Sequence, residues 1–564
     1  MSLLRTIATR NVKLTNHFKK QCQRKYSSTV LKSPLGEIQV PDQTFSDFVF
    51  SNSNAWEKKP ALTCGVTGRS YTYNLAKMLN HHAAQGLLEK VGLDPGDKVG
   101  LLLPNIPEYL LAVHASLKAG LIVTFANPLY TAEEVARQFK NAGVRCIMTI
   151  PQLIETALTV SKELNNYTYT LNIGGKDEAD KKILGLEQLL SGKYSAKLPQ
   201  VNPNDLAVLP YSSGTTGLPK GVMLTHKNLI ANLLQCNHPD IVDNIPTTET
   251  TQETVLSVLP FFHIYGFNGI LNFMMYIGGH IVTLPRFTVE DYIKCLETYK
   301  PDSIFVVPSL LLFLITHPEV TPAHLSSITK VICGAAPATK SLIEKFKAKI
   351  GRDNCRVTQG YGMTETSPVT IYTPKSMPAS KTGSCGKLLP STEARLIDIS
   401  NGKDIVTPET PGELLLRGPQ AMKGYLNDPV ATKEIIDKDG WLHTGDVVYY
   451  DKDEYFFVVD RTKELIKVKG NQVSPTELES IILEIPGVAD VAVVGVPCKF
   501  AGEIPKAFVV KKPNADVTEE MIQSFLTPKV ATYKKLTGGV SFIDAIPRNP
   551  SGKIVRSQLK NLNK

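Results

Sequence analysis

The 564-residue sequence lacks the marks of several protein classes. Its nine cysteines are scattered, with no CxxC pair and no Cys/His cluster at zinc spacing. This argues against a disulfide framework or a structural zinc and for a reducing compartment. The longest apolar stretch, from Phe267, is interrupted by Asn268, Asn272 and His280. It therefore predicts a buried core segment, and we expect no transmembrane segment.

Acidic residues are absent from residues 1–30, which hold seven Lys and Arg. The whole chain has a formal net charge of +9, with 62 Lys and Arg against 53 Asp and Glu. Without its first 30 residues the chain is therefore nearly neutral. Its net charge implies no large positive electrostatic potential that would attract nucleic acid, and we expect no nucleic-acid partner.

The same first segment, residues 1–30, is rich in Arg, Lys, Ser and Thr and has no long apolar run. This composition is typical of a mitochondrial transit peptide and predicts a matrix protein. The alternative is a disordered basic tail on a cytoplasmic protein. The C-terminal "KNLNK" carries no Ser-Lys-Leu peroxisomal signal.

Short apolar runs alternate with amphipathic stretches over residues 35–460. Buried strands are predicted for "KVGLLLP", "GLIVTFA", "CIMTI", "DSIFVVP" and "KVICGAA", and a helix for "EYLLAVHASLKAG". The alternation predicts an α/β fold with largely parallel sheets in a large N-terminal domain.

The pattern of charged and apolar residues changes near residue 460. The sequence predicts a domain boundary at 461–463 and a small α+β domain over residues 464–564. Ser474, Pro475 and Glu477 have the spacing of a helix start, with Ser474 as the cap. The short apolar runs "VADVAVVGVP" and "KAFVV" then predict strands.

The loop "YSSGTTGLPKG", residues 211–221, has the composition of a phosphate-binding loop. It does not match GxxxxGK[ST], because Lys220 follows Pro219 and precedes Gly221. Its flanks "LAVLPY" and "GVMLT" predict strands, with a helix starting only near Asn228. The sequence therefore predicts a strand–loop–strand unit that offers hydroxyls, backbone N–H groups and one lysine to an anion.

Six motifs occur together: "YSSGTTGLPKGVMLTHKNL", "PFFHIYG", "GAAP", "QGYGMTE", "GWLHTGD" and "VDRTKELIKVKG". In this order they resemble the adenylate-forming (acyl-activating) superfamily, and most closely its 4-coumarate:CoA ligase-like branch. The resemblance covers nearly everything after residue 30. It implies a large N-terminal domain, a hinge at 461–463 and a small mobile C-terminal lid domain.

The resemblance also implies an ATP-dependent acid–thiol ligase. Such an enzyme makes an acyl-AMP, releases pyrophosphate and transfers the acyl group to coenzyme A. The implied ligands are ATP, Mg²⁺, coenzyme A and a small-molecule carboxylic acid, either a 4-coumarate-like acid or a medium- or long-chain fatty acid. Residues that match the family's ATP/AMP site are Ser212, Ser213, Gly214, Thr215, Thr216, Gly217, Gly334, Ala335, Gln359, Gly360, Tyr361, Thr364, Asp446, Arg461, Lys463, Lys467 and Lys553.

By the same resemblance, Lys553 meets the carboxylate and the α-phosphate, Lys220 adds positive charge, and His263 shifts to open the path of the thiol. Glu365 and Thr216 are the implied metal residues. The implied acyl site comprises His263, Ile264, Tyr265, Gly269, Gly360, Pro368 and Val369. The implied coenzyme A residues are Arg286, Lys469 and Gly470.

Three other interpretations stay open at this point. A luciferase-type oxygenase also forms an adenylate, although Asn232 stands where an arginine is expected in the luciferin site. An aminoacyl-adenylating domain needs an acidic residue near Ile264 or Val369, and the sequence offers none there. A nucleotide-binding regulator without turnover is disfavoured by the intact Glu365 and Lys553.

Overall fold

The computed structural model describes residues 29–179, 182–212, 219–352, 354–469, 471–549 and 552–562. The predicted transit peptide therefore lies almost entirely outside the described residues.

The first large sheet has seven strands, parallel except for the pair at one edge. Its strands, in spatial order, are Leu224–Thr225, Leu206–Leu209, Ile122–Phe125, Lys98–Leu101, Val144–Thr149, Thr170–Asn172 and Ile183–Gly185. Three of them confirm the strands predicted from apolar runs. The edge pair Leu206–Leu209 and Leu224–Thr225 flanks the predicted phosphate loop, which confirms the strand–loop–strand unit.

The second large sheet has nine strands and a parallel centre. Its strands, in spatial order, are Lys387–Leu388, Val369–Tyr372, Arg356–Gly362, Lys330–Cys333, Ser303–Val306, Thr254–Ser257, His280–Thr283, Pro60–Cys64 and Ser70–Thr72. Ligands of open α/β sheets bind at the carboxyl ends of parallel strands. The "GAAP" and "QGYGMTE" motifs occupy that position here.

A third, antiparallel sheet closes the N-terminal domain. Its strands are Leu31–Lys32, Glu393–Ile397, Gly412–Arg417, Leu442–Tyr450 and Phe456–Arg461. The last strand ends where the predicted hinge begins, and its register places Arg461 opposite Asp446.

Helices cover the parallel sheets, as expected for an α/β fold. The α-helices of the N-terminal domain are Phe45–Val49, Tyr73–Glu89, Glu108–Lys118, Ala132–Ala142, Ile154–Ser161, Leu186–Ser191, His226–Cys236, Phe273–Ile277, Val289–Tyr299, Pro308–Thr316, Lys340–Ile350 and Pro429–Ile435. The 3₁₀ turns are Ser53–Trp56, Pro151–Leu153, Thr364–Thr366 and Ala379–Lys381. The helix after the phosphate loop starts at His226, two residues before the predicted start, because Thr225 caps it.

The C-terminal domain is a five-stranded sheet with helices, which confirms the predicted α+β class. Its strands are Ile466–Val468, Asn471–Val473, Val488–Cys498, Gly502–Lys511 and Val540–Phe542. Its α-helices are Pro475–Ile482, Glu519–Leu526 and Arg556–Asn561, with 3₁₀ turns at Thr527–Lys529 and Thr532–Lys534. The Ser474 hydroxyl accepts the Glu477 N–H, as the sequence predicts for a helix cap.

The apolar stretch from Phe267 is core. It forms a π-helix, Tyr265–Asn272, that continues into the helix Phe273–Ile277. Asn272 is fully buried, and its Oδ1 pairs with His114 Nε2 at 2.8 Å, so this polar break is satisfied within the protein. Among the described residues, no helix has the length and apolarity needed to cross a bilayer.

Candidate active site

The two ends of the phosphate loop form a small hairpin. Tyr211–Ser212 pairs antiparallel with Lys220–Gly221, with Ser212 opposite Lys220. The second strand of the hairpin is also held on its other edge, because the Leu426 N–H donates to the Gly221 carbonyl at 2.8 Å. Five predicted ATP residues, Ser213, Gly214, Thr215, Thr216 and Gly217, lie outside the described residues. The hairpin fixes where their segment leaves and re-enters the sheet.

Glu365 is the acidic centre next to this hairpin. It is 5% exposed, and its Oε1 accepts the Ser212 and Tyr425 hydroxyls, each at 2.9 Å. No hydrogen bond from the described residues reaches Oε2. The Lys220 ammonium lies 5.2 Å from the centre of the Tyr425 ring. These contacts bring the loop, the "QGYGMTE" motif and Tyr425 together at one point.

The described residues contain no group of three or more His, Cys, Asp or Glu that could bind a metal alone. One buried carboxylate with a free oxygen fits Mg²⁺, which usually keeps waters and takes one or two carboxylates plus substrate phosphates. Glu365 is therefore a suitable magnesium ligand in the presence of ATP.

The Tyr265 ring packs between Gly334 of the predicted ATP site and Gly269 of the predicted acyl site. Its hydroxyl donates to the Ile332 carbonyl at 3.0 Å. A Cβ added at Gly334 or at Gly269 would lie 3.1 Å from the Tyr265 ring. Both positions are therefore closely packed against the ring, and a larger residue would require the ring to shift. Ala335 follows with a φ of +68°, a left-handed conformation that turns the chain out of the sheet.

The strand Arg356–Gly362 lies beside this turn. Gln359 is 6% exposed, and its Oε1 accepts the Ala338 N–H at 2.8 Å. The Gln359 side chain thus supports the "GAAP" turn. A Cβ at Gly360 would lie 3.1 Å from the Tyr372 ring, so this position is also close-packed.

Tyr361, Asp446 and Arg461 form a polar group at the domain boundary. The Tyr361 hydroxyl donates to Asp446 Oδ2 at 2.6 Å, and Arg461 Nε lies 3.6 Å from Asp446 Oδ1. Burial raises the pKa of Asp446, and Arg461 and Tyr361 offset only part of that effect. A partly desolvated carboxylate of this kind is a strong acceptor for ribose hydroxyls.

Lys553 comes to the same cleft from the C-terminal domain. Gly552, at a φ of +79°, packs so that an added Cβ would lie 2.8 Å from Val307 Cγ2. The turn therefore docks at the carboxyl end of the strand Ser303–Val306. Burial and the nearby Arg461 lower the pKa of Lys553 to about 8, against the opposing effects of Asp446, Glu365 and Glu464.

His263 is half-buried, and its Nδ1 accepts the Tyr265 N–H at 3.3 Å. Burial, with a further contribution from Lys553, lowers the pKa of His263 to about 4. The imidazole is therefore neutral at physiological pH and close enough to Lys553 to sense its charge.

Two buried amides support the predicted acyl site. Asn232 Nδ2 donates to the Val369 carbonyl at 2.6 Å, while Asn232 Oδ1 accepts the Val369 N–H at 3.2 Å. Asn268 Nδ2 donates to the Ser367 carbonyl at 2.6 Å. Ile264, just before Asn268 in the sequence, and Pro368, which follows Ser367, are both buried. Sequence patterns could not identify this support, because each amide acts on backbone about 100 or more residues away.

Thr364 is half-buried in its 3₁₀ turn, and Lys463, Lys467, Lys469 and Arg286 are exposed. Lys469 follows the strand Ile466–Val468, has a φ of +49°, and donates its N–H to the Ala501 carbonyl. Gly470 lies outside the described residues. The coenzyme A assignments therefore stay predictions.

The comparisons with known proteins identify the family of the chain. The family model described as "AMP-binding enzyme" matches residues 49–426, and that of the "AMP-binding enzyme C-terminal domain" matches residues 477–553. The chain belongs to the AMP-binding enzyme family. The resemblance read from the motifs is confirmed, and so is the α/β fold with a large N-terminal and a smaller C-terminal domain.

Individual relatives match over nearly the whole chain. A 4-coumarate–CoA ligase 1 of Arabidopsis thaliana is 36% identical, covering 96% of each chain. A 4-coumarate–CoA ligase 2 of Oryza sativa subsp. japonica is 38% identical over 94% of this chain and 95% of its own. Among solved structures, ATP-bound MatB from Rhodopseudomonas palustris has a TM-score of 0.82 and 26% identity, covering 93% of this chain and 99% of its own.

The site predicts a pH dependence of adenylation. We expect kcat/KM for acyl-AMP formation to fall about tenfold between pH 7 and pH 9, because the Lys553 ammonium loses its proton as pH rises through about 8. A pH profile of pyrophosphate release measures this. Lys553→Arg, whose side chain does not titrate in this range, should keep a lower but flat profile. A flat wild-type profile to pH 9 would contradict the assignment.

A second prediction concerns Glu365. We expect Glu365→Gln to raise the Mg²⁺ concentration for half-maximal pyrophosphate release at least about tenfold, because a neutral amide is a weaker ligand for a hard cation. The Gln carbonyl can still accept the Ser212 and Tyr425 hydroxyls. Tyr425→Phe, which removes only a supporting hydrogen bond, is the matched control and should change the requirement less. An unchanged requirement in Glu365→Gln would refute the metal assignment.

Proposed function

We propose that this protein activates a largely apolar carboxylic acid as its acyl-AMP and passes the acyl group to coenzyme A. The chain is an AMP-forming acid–CoA ligase, like the 4-coumarate–CoA ligases that match it over most of its length. The observation that carries this proposal is the packing of Gly552 against Val307, which brings the adjacent Lys553 of the C-terminal domain to the cleft, where Asp446 and Glu365 favour its charged form. A regulator without turnover has no need of that arrangement.

In the first step, a carboxylate oxygen of the acid attacks the α-phosphorus, and the bond to the β-phosphate breaks to release pyrophosphate. Asp446 and Arg461 orient the ribose, and Tyr361 orients Asp446. Lys553 neutralises charge on the carboxylate and α-phosphate as they approach, which is electrostatic stabilisation by a preorganised group. In the second step, the thiol of coenzyme A loses its proton to solvent, its sulfur attacks the acyl carbon, and the bond between the acyl carbon and the phosphate oxygen breaks to release AMP.

Glu365 would hold Mg²⁺, which supplies charge neutralisation and polarisation of phosphate oxygens. The Ser212 and Tyr425 hydroxyls fix the orientation of the Glu365 carboxylate. Lys220, the Ser212 side of the hairpin and the predicted loop residues would then bind the departing pyrophosphate.

The polarity of the acyl site supports the substrate class. Asn232 is committed to the Val369 backbone, and the Tyr265 proton is committed to Ile332. A second carboxylate or an ammonium on the substrate would lie unpaired next to these groups, at a cost of several kcal/mol. We therefore favour cinnamate-like or aliphatic acids over dicarboxylic and amino acids.

Pyrophosphate release across a panel of acids, with and without coenzyme A, tests the proposal. We expect cinnamate or a medium-chain fatty acid to exceed malonate and phenylalanine at least about tenfold. The thioester should appear only when coenzyme A is present. Absence of pyrophosphate release with every acid would reject the function, and a preference for malonate or phenylalanine would reject the substrate class.

We further propose a mitochondrial location, on the composition of residues 1–30. We expect a reporter fused after residue 30 to enter mitochondria. The matched control replaces the seven Lys and Arg of the segment by Gln, which removes the positive charge that import signals need. A diffuse cytosolic signal from the unmodified fusion would contradict this location.

A further inference from the structure

Asp460 joins the two domains across the predicted hinge. It lies in the strand Phe456–Arg461, opposite Val447, and is 5% exposed. Its Oδ2 accepts the Ser474 hydroxyl at 2.7 Å and the Thr476 N–H at 3.1 Å. Ser474 and Thr476 start the helix Pro475–Ile482 of the C-terminal domain. One carboxylate of the large domain therefore sits at the start of a helix of the small domain.

The chemistry of this contact makes it strong. Hydrogen bonds to an ionised carboxylate are about twice as strong as neutral ones, and a carboxylate at a helix N-terminus also gains from the helix dipole. The Arg461 N–H donates to Asp460 Oδ1 at 2.8 Å and fixes the side-chain orientation. Ser474 still caps its own helix through the Glu477 N–H.

The neighbouring ion pairs behave differently. Arg556 Nε lies 2.9 Å from Glu464 Oε2, and Arg556 also pairs with the buried Glu479. All three residues follow the hinge in sequence, so they would move with the C-terminal domain and keep their contacts. They connect the segment that bears Lys553 to the rest of that domain. The Asp460 contacts, in contrast, must break if the domain turns about residues 461–463.

We propose that Asp460 is a positioning residue that holds the C-terminal domain in the orientation presenting Lys553 to the cleft. This inference rests on the proposed function and concerns how the same site is regulated between its two steps. Asp460 touches no reacting atom. It biases the equilibrium between the orientation for adenylation and the orientation for thioester formation.

The bias has opposite consequences for the two half-reactions. Losing one charged hydrogen bond weakens the favoured orientation about tenfold. If that orientation holds nearly all molecules, its population falls less than about twofold, while the minor orientation gains up to about tenfold. Weakening the contact therefore costs little adenylation and speeds thioester formation.

Single-turnover measurements on Asp460→Asn and Ser474→Ala test this. One assay follows acyl-AMP formation from ATP and the best acid of the panel, and the other follows thioester formation from supplied acyl-AMP and coenzyme A. In both variants we expect thioester formation to rise severalfold and adenylation to fall less than about twofold. Asparagine has nearly the same shape as aspartate, and melting temperatures verify that each variant is folded.

Thr518→Ala is the matched control. Thr518 caps the helix Glu519–Leu526 entirely within the C-terminal domain, so its loss should leave the ratio of the two rates unchanged. The inference is overturned if thioester formation stays constant or falls in the Asp460 and Ser474 variants. If the wild-type protein performs neither half-reaction, the proposed function itself fails, which the wild-type rates alone reveal.

Discussion

Lys553→Ala should lose about 10²–10³-fold in the rate of acyl-AMP formation, the range measured when one electrostatic donor is removed from a transition state. The ammonium lies in a cleft where burial and Arg461 lower its pKa to about 8. Alanine leaves no cation at the point where the substrate carboxylate approaches the α-phosphate. Single-turnover release of pyrophosphate measures the loss.

Thioester formation from supplied acyl-AMP should change little in the same variant, because the C-terminal domain then presents another face to the cleft. Lys560→Ala is the matched control. Lys560 lies in the C-terminal helix Arg556–Asn561, its ammonium is 3.8 Å from Glu503, and it faces solvent. Equal losses in both half-reactions of Lys553→Ala would refute a role confined to adenylation.

Lys463→Pro should cause a comparable loss in the other half-reaction. Proline fixes φ near −65° and also restricts the preceding residue, so the backbone at residues 462–463 could no longer absorb a large rotation. Lys463 is exposed, and no hydrogen bond described here uses its N–H. Replacing Lys463 therefore removes no backbone hydrogen bond of the described residues, and adenylation should be affected much less than thioester formation.

We expect acyl-AMP to accumulate on this variant while thioester formation falls about 10²-fold or more, as when a conformational step is blocked. Single-turnover assays of each half-reaction measure both effects. Lys463→Ala removes the same side chain without restricting φ and should run both steps at near wild-type rates. Wild-type rates in the proline variant would place the pivot elsewhere.

The sequence predicted the framework well because its signals were local. The apolar runs at Lys98–Leu101 and Lys330–Cys333 are long enough to identify buried strands, and Ser474 with Pro475 defines a helix start by spacing alone. The motif resemblance then supplied the candidate site residues, of which the structure brings Tyr361, Asp446 and Arg461 together. The hinge position and the roles of the individual site residues stay predictions.

The site contacts that the sequence did not predict are hydrogen bonds between residues far apart in the chain. Tyr425 supports Glu365 from 60 residues away, and Asn232 holds Val369 from 137 residues away. Neither residue stands in a pattern that a sequence window detects. The sequence also did not predict the π-helical conformation of Tyr265–Asn272, although it predicted the burial of the segment from Phe267 correctly. Helical hydrophobic spacing does not distinguish it from an α-helix.

The strand Phe456–Arg461 sets a limit on insertions and deletions. Its register holds Arg461 opposite Asp446, and the Thr462 N–H donates to the Gly445 carbonyl at 2.8 Å, so the predicted nucleotide-binding residue and the predicted pivot are adjacent in the chain. Only Thr462 to Leu465 separate this sheet from the strand Ile466–Val468 of the next domain. One inserted residue adds about 3.3–3.6 Å of chain and would misplace Lys553 by more than the tolerance of a catalytic group. The linker is therefore constrained in length, even at Lys463, whose side chain is exposed.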